Sequence, residues 1–360
     1  MHLRGPIQVS QVAVYHRGTG AVVKRDAEAE AEAEAEAEAE AEPEAHAHGH
    51  QFPALARHKR GHMHRHERRG GNAEVVTVFE TVYTTSTRKR SPPTTSSSSG
   101  TTGTTTSSSA SSTATSYAWT RDSYYNAASG QNSNIVFLNH LGGTNGSGAW
   151  DSCFGNTLSY ANCDGTTGAA APQTLGNVLI PSNSEVILFT SEVCDGSCGF
   201  VRPGTPAYKG FDTSSDTVFL LEFTMPRDSG SGFNVDMSAV WFLNAQIPRT
   251  LQYGNAACSC WTTGCGEFDV FEILSTGSNF LTSTIHSWQG TGTEYGGGGC
   301  SDYFERPLTG TMKAAILFTQ ETKTLKISIL DDSVEFGPGL VDSLVQTWNA
   351  APGSQVNIAG

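Results

Sequence analysis

Long apolar runs are missing from this chain of 360 residues. No stretch reaches the roughly 18 apolar residues of a membrane-spanning helix, which excludes a helical membrane protein. Residues 1–25 carry basic side chains but no apolar core of the kind that defines a secretory signal. A misassigned start codon, or else export by another route, reconciles that absence with the secreted features described below, and the first is the expectation. Cysteine is absent from residues 1–116. Helical periodicity is scarce beyond Ser116, which excludes a helix bundle. The four glycines Gly296–Gly299 lack both the strand-to-helix context and the lysine of a phosphate cradle, so no nucleotide or redox cofactor is expected.

What is present changes abruptly near residue 117. Upstream, Ala and Glu alternate from Asp26 to Glu44, seven of the eleven histidines cluster between His46 and His66, and residues 94–116 are almost wholly Ser, Thr, Gly and Ala. None of these segments offers enough apolar surface to offset the entropy of ordering it. Residues 1–116 are therefore expected to be a disordered, low-complexity tail, its Ser/Thr tract an O-glycosylated stalk. Residues 117–360 are expected to fold as one all-β domain. The tail holds 13 Lys/Arg against 13 Asp/Glu, the remainder 9 against 22, so the net charge of −13 sits on the folded part. An acidic domain repels phosphate backbones and anionic membranes. Nucleic acid is a poor partner for it, and a neutral polysaccharide is compatible.

The eight cysteines, at 153, 163, 194, 198, 258, 260, 265 and 300, lie beside Gly, Asn and Asp. An even count at such positions favours disulfides in an oxidising compartment. Local closures 153–163 and 194–198 are the simplest pairings. Zinc is the rival reading of Cys194-x3-Cys198 and of Cys258-x-Cys260-x4-Cys265. Dibasic pairs at Lys24-Arg25, Lys59-Arg60 and Lys89-Arg90 and a sequon at Asn145 add to an extracellular or cell-wall setting.

Within the folded part, short β-branched and aromatic runs are separated by Gly, Asn, Asp and Pro. Strands are predicted at 135–138, 185–190, 217–224, 239–244, 267–274, 281–288, 312–319 and 324–330. The last two read as a hairpin about residues 320–323. Many strands without intervening helices imply a sandwich or jelly roll.

The segment Gly266-Glu-Phe-Asp-Val-Phe-Glu-Ile-Leu274 carries three carboxylates in six residues. In a regular strand Glu267 and Asp269 share one face, and Glu272, five residues on, falls on the apolar one. A β-bulge at Val270–Phe271 inserts one residue and returns all three acids to the same face. Four effective steps of roughly 3.3 Å then separate the two Glu Cα atoms by about 13 Å, and side chains leaning together bring the carboxyls to about 5 Å. That spacing suits a retaining glycosidase, in which one carboxylate attacks C1 and the other protonates the departing oxygen. Crowding three acids keeps at least one protonated near neutrality.

Glu-Phe-Asp-Val-Phe-Glu resembles the Glu-x-Asp-x-x-Glu signature of glycoside hydrolase family 16 in its bulged, laminarinase-like form. Ser238-Ala-Val-Trp-Phe-Leu-Asn244 is similar to that family's preceding strand, and Thr282-Ser-Thr-Ile-His286-Ser-Trp288 to its following one. The Cys-rich surroundings resemble a fungal cell-wall group related to yeast target-of-SBF proteins. The resemblance implies a concanavalin-like β-jelly-roll with a concave cleft, acting on β-1,3-glucan. It further implies Glu267 as nucleophile, Glu272 as acid/base and Asp269 as the residue that tunes them. Trp241, His286, Trp288 and Asn244 are candidate substrate contacts. Asp236-Met237-Ser238 departs from the family's Trp-Pro. The expected protein is a secreted, monomeric endo-1,3-β-glucanase without metal or cofactor. A glucan transglycosylase and a non-catalytic wall polysaccharide-binding protein are the alternatives.

Overall fold

The computed structural model describes residues 1–18, 117–142, 150–250, 266–286 and 302–357. The Ala-Glu repeat, the histidine cluster, the Ser/Thr tract, the Asn145 sequon and Cys258, Cys260, Cys265 and Cys300 lie outside the described residues, as does Trp288.

Two antiparallel sheets carry the fold. The first is ordered β13 (Asp302–Glu305), β12 (Phe280–His286), β11 (Glu267–Glu272), β10 (Ala239–Leu243), β1 (His2–Arg4), β8 (Glu185–Phe189), β5 (Val136–Asn139), β6 (Ser159–Ala161), β7 (Gly168–Ala169). The second is ordered β16 (Gly339–Leu340), β3 (Trp119–Asn126), β2 (Gln8–Arg17), β9 (Thr217–Thr224), β14 (Met312–Thr319), β15 (Thr324–Leu330), β17 (Ser354–Asn357), with β4 (Gln131–Ser133) paired to β3. Short helices α1 (Gln246–Thr250) and α2 (Asp342–Ala350) complete it. The expected all-β jelly-roll sandwich is what forms, and the 312–319/324–330 hairpin closes with Thr319 opposite Thr324.

Burial explains the sequence patterns. Strands of the second sheet are covered on both faces. Phe219, Leu221, Phe223, Ala314 and Ile316 face the inter-sheet core. Val218, Leu220, Ala315 and Leu317 face Val345 and Trp348 of α2. Such strands read as continuous apolar runs because neither face meets water. In the first sheet Leu3, Val186, Val240, Phe268, Val270 and Phe271 enter the core and the alternate side chains point the other way; on that outer face Val136, Leu138, Ile187 and Phe189 form a separate apolar cluster, and the acids of β11 stand on the same side of the sheet.

Residues 1–18 correct the expectation that 1–116 is a single tail. His2–Arg4 pairs between β10 and β8, and Gln8–Arg17 pairs between β3 and β9, so both strands are interior to their sheets. The physical reason is legible in Val9, Val12, Val14 and Tyr15, all buried. Gly5 makes the crossing from one sheet to the other possible. A Cβ there would collide with the Ile180 and Pro181 carbonyl oxygens.

The cysteines also bring a correction. Cys194 and Cys198 form a disulfide, as the local pairing anticipated, and this removes the zinc reading of that pair. Cys153 is disulfide-bonded but Cys163 is free, so the 153–163 closure does not form. The two sit in separate turns. One is built on Asp151, which accepts the Cys153 and Phe154 amides, and the other on Asp164, which accepts those of Thr166 and Thr167.

Candidate active site

The acid strand β11 is bulged at the expected place. Against β12, Asp269 faces Thr284 and Glu272 faces Thr282, so Val270 and Phe271 together oppose Ser283. Against β10, Asp269 faces Trp241 and Phe271 faces Val240, leaving Val270 as the extra residue. The Ser283 hydroxyl donates to the Val270 carbonyl at 2.5 Å, filling the gap that the bulge opens in the ladder. Both inserted side chains turn inward. Phe271 packs on Phe223 and Phe304 at 5.4 and 5.3 Å between ring centroids, and Val270 is wholly buried. Burying each is worth about 1.5–3 kcal/mol, and an unbroken pleat would forfeit one of them. Glu267, Asp269 and Glu272 consequently share the outer face.

All three carboxylates are buried, at 8, 4 and 7 % exposure. Burial, and next the charge of Glu272, push the Asp269 carboxyl well above the ordinary carboxylate range; Arg4 and a hydrogen bond with Glu267 act in the opposite direction. Asp269 therefore holds its proton to a higher pH than an ordinary aspartic acid does.

The N-terminal strand β1 completes this face. Arg4 Nη2 lies 3.2 Å from Glu272 Oε1, and its Nε donates to the Met237 carbonyl at 2.8 Å. The Trp241 ring, 5 % exposed, is stacked on His2 at 5.0 Å and lies beneath the Arg4 guanidinium at 5.8 Å. His2 Nδ1 is 2.8 Å from Glu185 Oε1. Burial lowers the His2 imidazole to about 4, against the upward pull of Glu185. At neutral pH the ring is thus uncharged, with Nδ1–H donating to the carboxylate.

The sequence-predicted contacts fare unequally. Trp241 stands on the acid face beside Asp269. His286 is opposite Glu267 in the strand register, and Trp288 lies outside the described residues. Asn244 is exposed at the end of β10, and its side-chain oxygen accepts the Gln246 amide at the start of α1. Arg4 and His2 escape the sequence reading because β1 is three residues long and remote from β11 in the chain, and Glu185, on a predicted strand, joins the site only through His2.

The departure at Asp236-Met237-Ser238 has a structural purpose. The Met237 carbonyl receives Arg4, and the Ser238 hydroxyl donates to the Pro6 carbonyl at 2.7 Å, so this segment seats the N-terminal strand. Asp236 accepts from Arg306 at 2.5 Å, from Arg227 at 3.0 Å and from the amides of Asp228 and Gly277. Burial opposes its ionisation, yet these donors together bring the carboxyl down to about 2.

Fold and site together define an all-β jelly-roll protein with a bulged row of carboxylates on one sheet face. Residues 117–348 match the family described as "Cell wall protein YJL171C/Tos1, C-terminal", and the chain belongs to this Tos1-like family of fungal cell wall proteins. It is 50 % identical over 244 residues to the Saccharomyces cerevisiae protein named "Probable circularly permuted 1,3-beta-glucanase TOS1", covering 67 % of this chain and 51 % of that one. A Candida albicans protein of the same name is 50 % identical over 246 residues, 67 % of this chain and 51 % of that one. An Arthroderma benhamiae protein named "Probable circularly permuted 1,3-beta-glucanase" is 30 % identical over 372 residues, 94 % of this chain and 76 % of that one. The chain spans about half the length of the first two.

Proposed function

We propose that this chain is a retaining endo-1,3-β-glucanase of the fungal cell wall, working by double displacement on the face of β11. One observation carries the reading: a bulge between Asp269 and Glu272 that turns three acids to one side. The names of the relatives support the substrate class. In the first step a Glu267 carboxylate oxygen attacks C1, the C1–O bond to the next sugar breaks, and Glu272 gives its proton to the departing oxygen. In the second, water attacks C1 and passes a proton to Glu272, and Glu267 leaves as carboxylate. Asp269, hydrogen-bonded to Glu267 and set between the two glutamates, tunes and aims the nucleophile. Trp241, covered by His2, supports the floor under the acids. The Cys194–Cys198 disulfide and the wall-protein family support secretion to an oxidising setting.

The test is a product profile on β-1,3-, mixed-linkage and β-1,6-glucans. New reducing ends from laminarin, with oligosaccharide products and retention at the anomeric carbon, are expected. Binding of laminarin without release of reducing ends would overturn the reading in favour of a wall polysaccharide-binding protein.

A further inference from the structure

Arg4 stands at a junction that the family match over residues 117–348 does not include. It lies on β1, opposite Ala239 of β10 and Glu185 of β8, so its side chain emerges on the acid face. Three contacts fix it. Its Nε is committed to the Met237 carbonyl at 2.8 Å, its Nη2 reaches Glu272 Oε1 at 3.2 Å, and its Cζ sits 5.8 Å from the Trp241 ring centroid. A guanidinium held at Nε by backbone and at its flank by an indole has little freedom, so the direction of Nη2 is set by the strand. The side chains of Arg4 and Glu272 are only 11 and 9 % exposed.

We propose that Arg4 is the positioning residue for Glu272: it holds the carboxyl by Oε1 and leaves Oε2 to face the glycosidic oxygen and then water. This rests on the proton-shuttling role given to Glu272 above. The groups that face Glu272 are Asp269 and Glu267 on its own strand, Trp241 on β10, Thr282 on β12, and Arg4 and His2 on β1, with Glu185 of β8 and His140 behind them. Among the described residues Arg4 is the cation in contact with this carboxyl. Its charge stands beside the carboxylate that must accept a proton in the second step. Its fork fixes an orientation on which proton transfer depends steeply.

The experiment compares Arg4→Met and Arg4→Lys with the parent over a pH series on laminarin. In Arg4→Met, kcat is expected to fall about tenfold or more with KM little changed. The alkaline limb of kcat/KM should move up by about one pH unit, because Glu272 releases its proton less readily. Arg4→Lys retains the charge but not the fork, so its alkaline limb should stay near the parent's while kcat falls at least about fivefold. An unmoved limb in Arg4→Met, or parental kcat in Arg4→Lys, overturns the inference; should Arg4→Met fail to fold, the lysine variant decides alone. A titration of carboxyl-13C-labelled glutamate provides an arm independent of turnover. Glu272 titrating alike in parent and Arg4→Met overturns the role of Arg4 even without activity, whereas a parent inactive on laminarin sinks the glucanase reading instead.

Discussion

The Ser283 hydroxyl reaches across the bulge to donate to the carbonyl of Val270, the extra residue of β11. A side chain on the neighbouring strand thus satisfies a backbone carbonyl at the bulge in a buried setting. Ser283→Ala should leave that carbonyl without its donor. The expected cost is about 1–2 kcal/mol of stability, with a larger relative loss of kcat than of binding, because Glu272 is aimed by the bulge. A chemical-denaturation midpoint and a laminarin assay check both parts. Unchanged values in both would show that the core packing of Val270 and Phe271 holds the bulge alone.

The connection from β2 to β3 should be dispensable for folding, unlike the strands it joins. Gly18 donates to the Ala118 carbonyl at 2.8 Å, and Arg17 faces Trp119, so the two ends of segment 19–116 meet as the ends of a hairpin. Replacing 19–117 by a two-residue Asn-Gly turn, which keeps residue 18 opposite 118, should preserve the fold and stabilise it by up to about 3 kcal/mol, the difference in loop-closure entropy. Deleting residues 1–18 instead removes an interior strand from each sheet and should abolish cooperative unfolding. Circular dichroism and thermal melts distinguish these outcomes. A cooperative melt from the 1–18 deletion would refute the placement of β1 and β2.

Asp236 anchors Arg227 and Arg306 under the segment that seats β1. Its carboxyl is held at about 2, below its ordinary 3.8. A depressed carboxylate adds stability above the unfolded value and loses it as pH falls through the folded one, so its contribution of about 2 kcal/mol should disappear between roughly pH 4 and pH 2. Asp236→Asn leaves the wholly buried Arg306 side chain without its counter-charge and should cost about 2–4 kcal/mol at pH 7. The gap between the two proteins should narrow below pH 4. Unfolding midpoints measured from pH 2 to pH 8 test this, and a gap independent of pH would contradict it.

Much of the architecture was legible because half-buried and fully buried strands leave different signatures. The apolar run of β9 reports that neither of its faces meets water, and the acids interleaved with Phe268 and Val270 in β11 report a strand with one polar face. The five-residue spacing from Glu267 to Glu272 was itself informative, since burying Glu272 unpaired would be too costly for a regular pleat. Strand β2 was overlooked although Val9, Val12 and Val14 mark it, because the low-complexity segment following it dominates the local composition. Strand β1 offers three residues and no period, so its partners could not be read from sequence. The contact of Arg4 with Glu272 joins positions 268 apart in the chain, and only the folded register brings them together. The pairing of Cys153 was likewise beyond the sequence, since spacing does not reveal which turns approach one another.

The most direct measurement is mass spectrometry of the protein after reaction with a 2-deoxy-2-fluoro laminaribioside carrying an activated leaving group, which slows release of a covalent glycosyl-enzyme. A single adduct on the peptide containing Glu267, lost in Glu267→Gln and still formed in Glu272→Gln, is the expected result. An adduct on Glu272 or another residue, or turnover of laminarin by Glu267→Gln at the parental rate, would contradict the assignment.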